Sequence, residues 1–112
     1  MAATPEETNW RRIAGLYAVL AQRFPSPIVE LNRAVAVAMV DGPRAGLELV
    51  EEIAAAGALS DYHLLHAVRG DLLARLGRDQ EAATSFLQAS ELTANVAEQH
   101  FLRDRANACI HH

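Results

Sequence analysis

The chain has 112 residues, 51% hydrophobic and 21% charged, with ten Arg, no Lys and fourteen acidic residues for a net charge of −4. This balance excludes a disordered chain and fits one domain with a modest core. The acids are spread along the chain and leave no evident basic face for phosphates, so direct nucleic-acid binding is not expected.

Proline and glycine punctuation divides the chain into six helical segments. Thr4-Pro5-Glu6-Glu7 has the form of a capping box with Pro in the first turn. The segment it opens, 5–24, carries Trp10, Ile13, Leu16, Tyr17, Leu20 and Phe24 at spacings of three and four, which make one apolar stripe. Pro25-Ser26-Pro27 ends it, with Ser26 as N-cap and Pro27 in the first turn of the next. That second helix is apolar almost all round, from Ile28 to Val40, and so is expected to be buried between others. Asp41-Gly42-Pro43 makes a corner into the third helix, which sets Ala45, Gly46, Leu49, Val50 and Ile53 inward and Glu48, Glu51 and Glu52 toward water. Gly57 ends it. Ser60-Asp61 is expected to cap a fourth helix running to about Leu76 and terminated by Gly77; Asp79 is expected to cap the fifth. Asn95-Val96-Ala97-Glu98 is a second capping box, opening a sixth helix with Phe101, Leu102 and Ile110. No segment alternates with period two. The expected fold is all-α, with six helices and short loops that make chain neighbours antiparallel.

An internal repeat runs through these helices. Gly70, Leu76-Gly77, Ala82, Phe86 and Ala89 resemble a tetratricopeptide repeat over about 34 residues. Gly70 and Ala82 let two helices approach, Phe86 fills the groove and Ala89 admits the next repeat. The usual Trp, Tyr and terminal Pro positions are not matched. A weaker copy lies 36 residues upstream, with Ala34, Asp41-Gly42, Gly46, Val50 and Ile53. The expected organisation is a single helical-repeat domain over 1–112: an end helix at 5–24, a degenerate hairpin at 27–56, a repeat hairpin at 61–93 and an end helix at 96–109.

More specific local runs span residues 8 to 106. They include Trp10…Ile13…Leu16-Tyr17 and Pro25-Ser26-Pro27-Ile28-Val29-Glu30-Leu31-Asn32-Arg33-Ala34-Val35-Ala36. After Asp41-Gly42-Pro43 and Ala45-Gly46-Leu47 come Tyr62-His63-Leu64-Leu65-His66-Ala67, Asp71-Leu72-Leu73, Arg75-Leu76-Gly77-Arg78 and Glu98…Phe101-Leu102. In this order and spacing the chain resembles the C-terminal, tetratricopeptide-like extension of one subgroup of extracytoplasmic-function RNA polymerase sigma factors. It departs from that pattern at Ala18, where the family usually has Asp, and beyond Ala106. The resemblance implies a bacterial regulatory domain of a longer protein, with the promoter-recognising core upstream. Its partners would be that core, RNA polymerase or a regulator.

The polar residues leave alternatives open. Asn32 and Arg33 lie in the most apolar helix. Either Arg33 is clamped by a carboxylate such as Glu30 or Asp71, with Asn32 on loop backbone, or both line a groove that grips a partner segment. His63 and His66 share a helical face beside Asp61 and Tyr62. A third metal ligand is not evident, so structural roles are favoured over metal binding or acid–base catalysis, with His63 packed or bonded at the start of its helix against the preceding loop. By analogy with the repeat, Leu64, Ala67, Asp71, Ala74 and Arg75 face the groove, while Asp71 and Arg75 are also spaced to pair with each other. No phosphate loop or nucleophile motif occurs. No catalytic residue, metal or cofactor is expected.

The longest apolar run, Ala34–Val40, is seven residues, against the roughly 20 that span a membrane. The single cysteine, Cys109, forms no intramolecular disulfide, and the first residues carry no legible signal peptide, so a cytoplasmic location is expected. The function expected is an accessory protein-interaction domain of a sigma factor, not an enzyme. The alternative is a free-standing tetratricopeptide-like adaptor that binds a peptide segment. Bare repeat ends open a route to homodimers in isolation.

Overall fold

The computed structural model describes the backbone of residues 5–111 and the side chains of residues 9–111. Six helices follow in order: α1 Pro5–Arg23, α2 Pro27–Asp41, α3 Pro43–Ala56, α4 His63–Arg75, α5 Asp79–Leu92 and α6 Val96–Ile110. No strand occurs among the described residues. The fold is all-α. The side chains of the Thr4-Pro5-Glu6-Glu7 box lie outside the described residues. So does His112.

The chain gathers into two compact units, one up to Ala58 and one from Leu59 on. Each holds one hairpin and one end helix. In the first unit α2 packs against both α1 and α3; in the second α5 packs against both α4 and α6.

The corners follow from their residues. Ser26 occupies the N-cap of α2 with Pro27 in the first turn, although its hydroxyl makes no capping bond. Gly42 takes φ +99° between α2 and α3, and its N–H reaches the Ala38 carbonyl. Gly57 ends α3 in the left-handed conformation. At the end of α4, Gly77 N–H bonds to the Ala74 carbonyl and Arg78 N–H to the Leu73 carbonyl. This double bond pattern, with Gly77 at φ +77°, is a Schellman motif. Asn95 caps α6 by accepting from the Glu98 N–H at 2.9 Å.

Three expectations are corrected. Ser60-Asp61 does not cap α4: Tyr62 holds the N-cap position, and the Ser60 carbonyl is engaged by His66 Nε2 at 2.9 Å. Asp79 does not cap α5: Arg78 does, and Asp79 lies inside the first turn with Glu81, where carboxylates meet the positive end of the helix dipole. Helix α2 is not enclosed. Its buried residues are Leu31, Ala34, Ala36 and Ala38, while Ile28, Asn32 and Met39 are exposed. Two flanking helices cannot cover a cylinder: the alanines that face them, Ala34, Ala36 and Ala38, are buried, while Ile28 and Met39 stay open. In α6 the buried line is Leu102, Ala106 and Cys109, whereas Phe101 and Ile110 face outward.

The two hairpins repeat with a period of 36: Pro27 and His63 open helices, Pro43 and Asp79 open helices, and Ala56 and Leu92 close them. Equivalent inward positions are buried in both, namely Ala34 and Gly70, Gly46 and Ala82, Val50 and Phe86, Ile53 and Ala89. The small residue changes sides. In the first hairpin Gly46 is the point of closest approach: a Cβ there would stand 2.5 Å from Ala38 Cβ and 2.8 Å from the Ala34 carbonyl. In the second hairpin a Cβ on Gly70 would meet the Phe86 ring at 3.0 Å. Where the second helix carries the large Phe86, the first has shrunk to Gly70; where it carries Val50, the first can keep Ala34. A bulkier residue on the second helix is met by a smaller one on the first, as close packing requires.

Candidate interaction surface

The second unit holds a dense set of polar contacts, three of which join one helix to another. From α4, Arg69 Nη1 donates to Ser85 Oγ on α5 at 2.8 Å, which satisfies a fully buried hydroxyl. The other two buried hydroxyl residues are also satisfied: Ser90 donates to the Leu87 carbonyl, and Thr93 accepts from Asn95 N–H. Two bridges then span from α4 to α6. His63 Nε2 meets Glu98 Oε2 at 2.9 Å, and Arg105 Nη2 donates to Asp71 Oδ1 at 3.1 Å. The bridges advance together along both helices, so α4 and α6 run parallel, with about 12 Å of α4 between the two rungs.

Arg105 is the hub. Besides Asp71, its guanidinium lies 4.8 Å from the centroid of the Phe86 ring and 6.0 Å from that of Phe101. Asp71 holds a second cation, Arg75 Nε, at 3.1 Å across one helical turn. These side chains are a third to a half exposed, so each pair is worth about 0–1 kcal/mol. Their shared role is to fix the register of α4 against α6. Along the chain, Leu64 on α4, 42% exposed, and Phe101 on α6, 58% exposed, each fall between the two bridge positions of their helix. The face therefore has an apolar middle between charged ends. Such an arrangement suits a protein segment better than a phosphate backbone or a small reacting molecule.

The expected site residues are distributed between the units. Asp71 and Arg75 come together as anticipated, and Leu64, Ala67 and Ala74 are at least partly open beside them. Asn32 and Arg33 belong to the first unit. Asn32 is exposed, and Arg33 is a third exposed, pairing with Glu30 at 3.4 Å one turn earlier and not with Asp71. Neither forms a buried clamp. The histidines divide differently from expectation. His66, not His63, bonds to the preceding loop, while His63 pairs with Glu98 and meets the Tyr62 ring edge-on at 5.6 Å. Among the described residues no group of three His, Cys, Asp or Glu side chains is placed to hold a metal ion. Gly70, Ala82, Phe86 and Ala89 are buried at the packing positions of the repeat, whereas Gly77 is exposed and serves the left-handed corner. The sequence reading missed Glu98 and Arg105 as partners of α4. Their separations of 35 and 34 residues from His63 and Asp71 are close to the repeat length, and reading α6 as the first helix of another repeat would have found them.

Outside this face, Glu81 accepts from Arg78 at 2.8 Å; that hydrogen bond holds its carboxyl below the ordinary carboxylate range. In the first unit, an apolar groove of about 380 Å³ runs between Pro25, Pro27, Leu49 and Ile53, edged by Glu30 and Glu52. No described helix is long and apolar enough to cross a membrane.

No family model matches the chain, and no solved structure matches it. It is similar to an uncharacterized protein of Rhizobium meliloti (strain 1021), with 45% identity over 102 residues covering 91% of this chain and 24% of the relative. The chain thus spans about a quarter of the length of the curated relative it matches.

Proposed function

We propose that this chain is the accessory C-terminal interaction domain of an extracytoplasmic-function sigma factor, acting in the cytoplasm on transcription initiation through protein contacts. The observation that carries the reading is the α4–α6 face: exposed Leu64 and Phe101 framed by the His63–Glu98 and Asp71–Arg105 bridges, on a tetratricopeptide-like hairpin. The run from Pro25 to Ala36 and the Tyr62–Ala67 run supply the resemblance to that sigma-factor subgroup. A relative about four times the aligned length favours a domain that works within a longer chain over a free-standing adaptor. The partner is the sigma core, polymerase or a regulator. The domain performs no chemistry in this role and requires no cofactor.

The test is deletion of this domain from the full-length factor, with promoter activation as readout. Activation should fall sharply, and Phe101→Glu, at an exposed site, should reproduce the loss without lowering the melting temperature. The isolated domain should show no salt-dependent DNA binding, the signature of phosphate neutralisation. Normal activation without the domain would overturn the proposal. A native reading frame without a sigma core would transfer the same face to an adaptor.

A further inference from the structure

Helix α1 is the least covered helix in the chain. No residue from Asn9 to Arg23 is fully buried, yet Leu16 is 59% exposed and Phe24, just past the helix end, is 67% exposed; Val19 and Leu20 are exposed between them. The opposite side, with Trp10, Ile13, Ala14, Tyr17 and Ala21, is half-buried. Repeat arrays require terminal elements with a polar outer face. Helix α6 exposes Phe101 and Ile110 but sets His100, Arg103, Asp104 and Asn107 outward beside them and buries Leu102, Ala106 and Cys109. Helix α1 has no such buried line among its described residues.

The junctions show what kind of element is missing. α1 and α2 are joined by the three residues Phe24, Pro25 and Ser26, and α5 and α6 by Thr93, Ala94 and Asn95. Aligning these junctions places α1 on α5 with an offset of 69: Ile13 on Ala82, Ala14 on Ala83, Leu16 on Ser85, Tyr17 on Phe86, Leu20 on Ala89, Ala21 on Ser90 and Phe24 on Thr93. All seven counterparts in the second unit are buried. They are buried because α5 has a helix on each side, α4 and α6. Helix α1 has the counterpart of α6, which is α2. The exposed Leu16 stands where Ser85 receives Arg69 from α4.

We infer that α1 is the second helix of a repeat hairpin, and that its Leu16–Leu20–Phe24 face is covered by a helix preceding Pro5 in a longer protein. Three-quarters of the relative's length lies outside the aligned region, which leaves ample chain for it. The chemistry of that helix follows from position. Leu20 and Phe24 are bulkier than Ala89 and Thr93, so the covering helix presents small residues opposite them. This inference is independent of the transcription reading, because it concerns only the completion of the repeat.

The experiment compares the 112-residue chain with one bearing, ahead of Met1, the roughly 35 residues, about one repeat, that precede the aligned region of the Rhizobium meliloti relative. Hydrogen exchange is read in 16–24 and, as an internal control, in α5. Extension should slow exchange in 16–24 by about tenfold or more and leave α5 unchanged. Leu20→Glu in the extended chain should abolish that gain without unfolding the shorter chain, since Leu20 is exposed there. Unchanged exchange on extension would overturn the inference. So would protection of 16–24 in the short chain that rises with concentration and gains nothing from extension, which would assign the face to a second copy of this chain.

Discussion

The two units are built on one 36-residue plan and hold it together by different means. The second closes around a large ring: Phe86 fills the space left by Gly70, and Arg69, Asp71 and Arg105 lace three helices together. The first relies on the near contact of Gly46 with Ala34 and Ala38 and on aliphatic burial, and no buried polar side chain occurs among its described residues. A packed aromatic with hydrogen-bonded neighbours defines one arrangement of its helices. Small residues in contact permit close approach but add little area, so the first unit leans more on covering helices. That is also the unit whose end helix is uncovered.

The largest effect should come from removing the ring. Phe86→Ala deletes the largest fully buried side chain and leaves a cavity, at a cost of about 3–5 kcal/mol by chemical denaturation. Amide protection in α2 and α3 should persist in this variant; its collapse would mean that the two units do not hold their cores separately. A smaller pair of changes tests the exchange of small residues. Helical Gly→Ala ordinarily gains up to about 1 kcal/mol. At Gly46 the new methyl meets a backbone carbonyl at 2.8 Å, which cannot easily give, so the net effect should be a loss of about 1–3 kcal/mol. At Gly70 it meets ring atoms at 3.0 Å, which can shift, so Gly70→Ala should cost less than Gly46→Ala. Melting curves showing the reverse order would refute the assignment of the two contact points.

How much of this was legible depends on the range of the interaction. The six helices and their corners followed from Pro27, Gly42, Pro43, Gly57, Gly77 and Asn95, because caps and positive φ are local requirements. Gly70 opposite Phe86 followed from the repeat pattern, which encodes a contact at fixed separation. The bridges of Arg105 and Glu98 were not legible from helical spacing, since they join residues about one repeat apart through a third helix. Arg33 was legible in part: Glu30 was one of the carboxylates expected to hold it and does so at 3.4 Å, but the pair is a third exposed, because burial is decided by which helices flank the run. The capping role assigned to Ser60-Asp61 failed because α4 starts at His63, which puts Tyr62 and not Asp61 at the N-cap position. In α1 the apolar stripe was legible, but its division into covered and open halves was not.

The smallest effect concerns the polar lacing. A double-mutant cycle on Asp71→Ala and Arg105→Ala should give a coupling of about 0.5–1 kcal/mol, as expected for a partly exposed pair that also stacks on Phe86. The Glu30→Ala and Arg33→Ala cycle in the first unit should give about 0.2–0.5 kcal/mol, the value of a pair within one helix. Equal couplings would remove the polar part of the contrast between the units.

The order of contacts along the chain has a kinetic consequence. Within each unit the main helix–helix contacts join chain neighbours: α1 with α2, α2 with α3, α4 with α5, and α5 with α6. Contacts of such short sequence separation need little loop closure before they form, and helical proteins of this kind fold in roughly microseconds to milliseconds. Growth can therefore begin at any hairpin and spread helix by helix. During synthesis each helix can dock on its predecessor as it emerges, α2 on α1 before α3 exists.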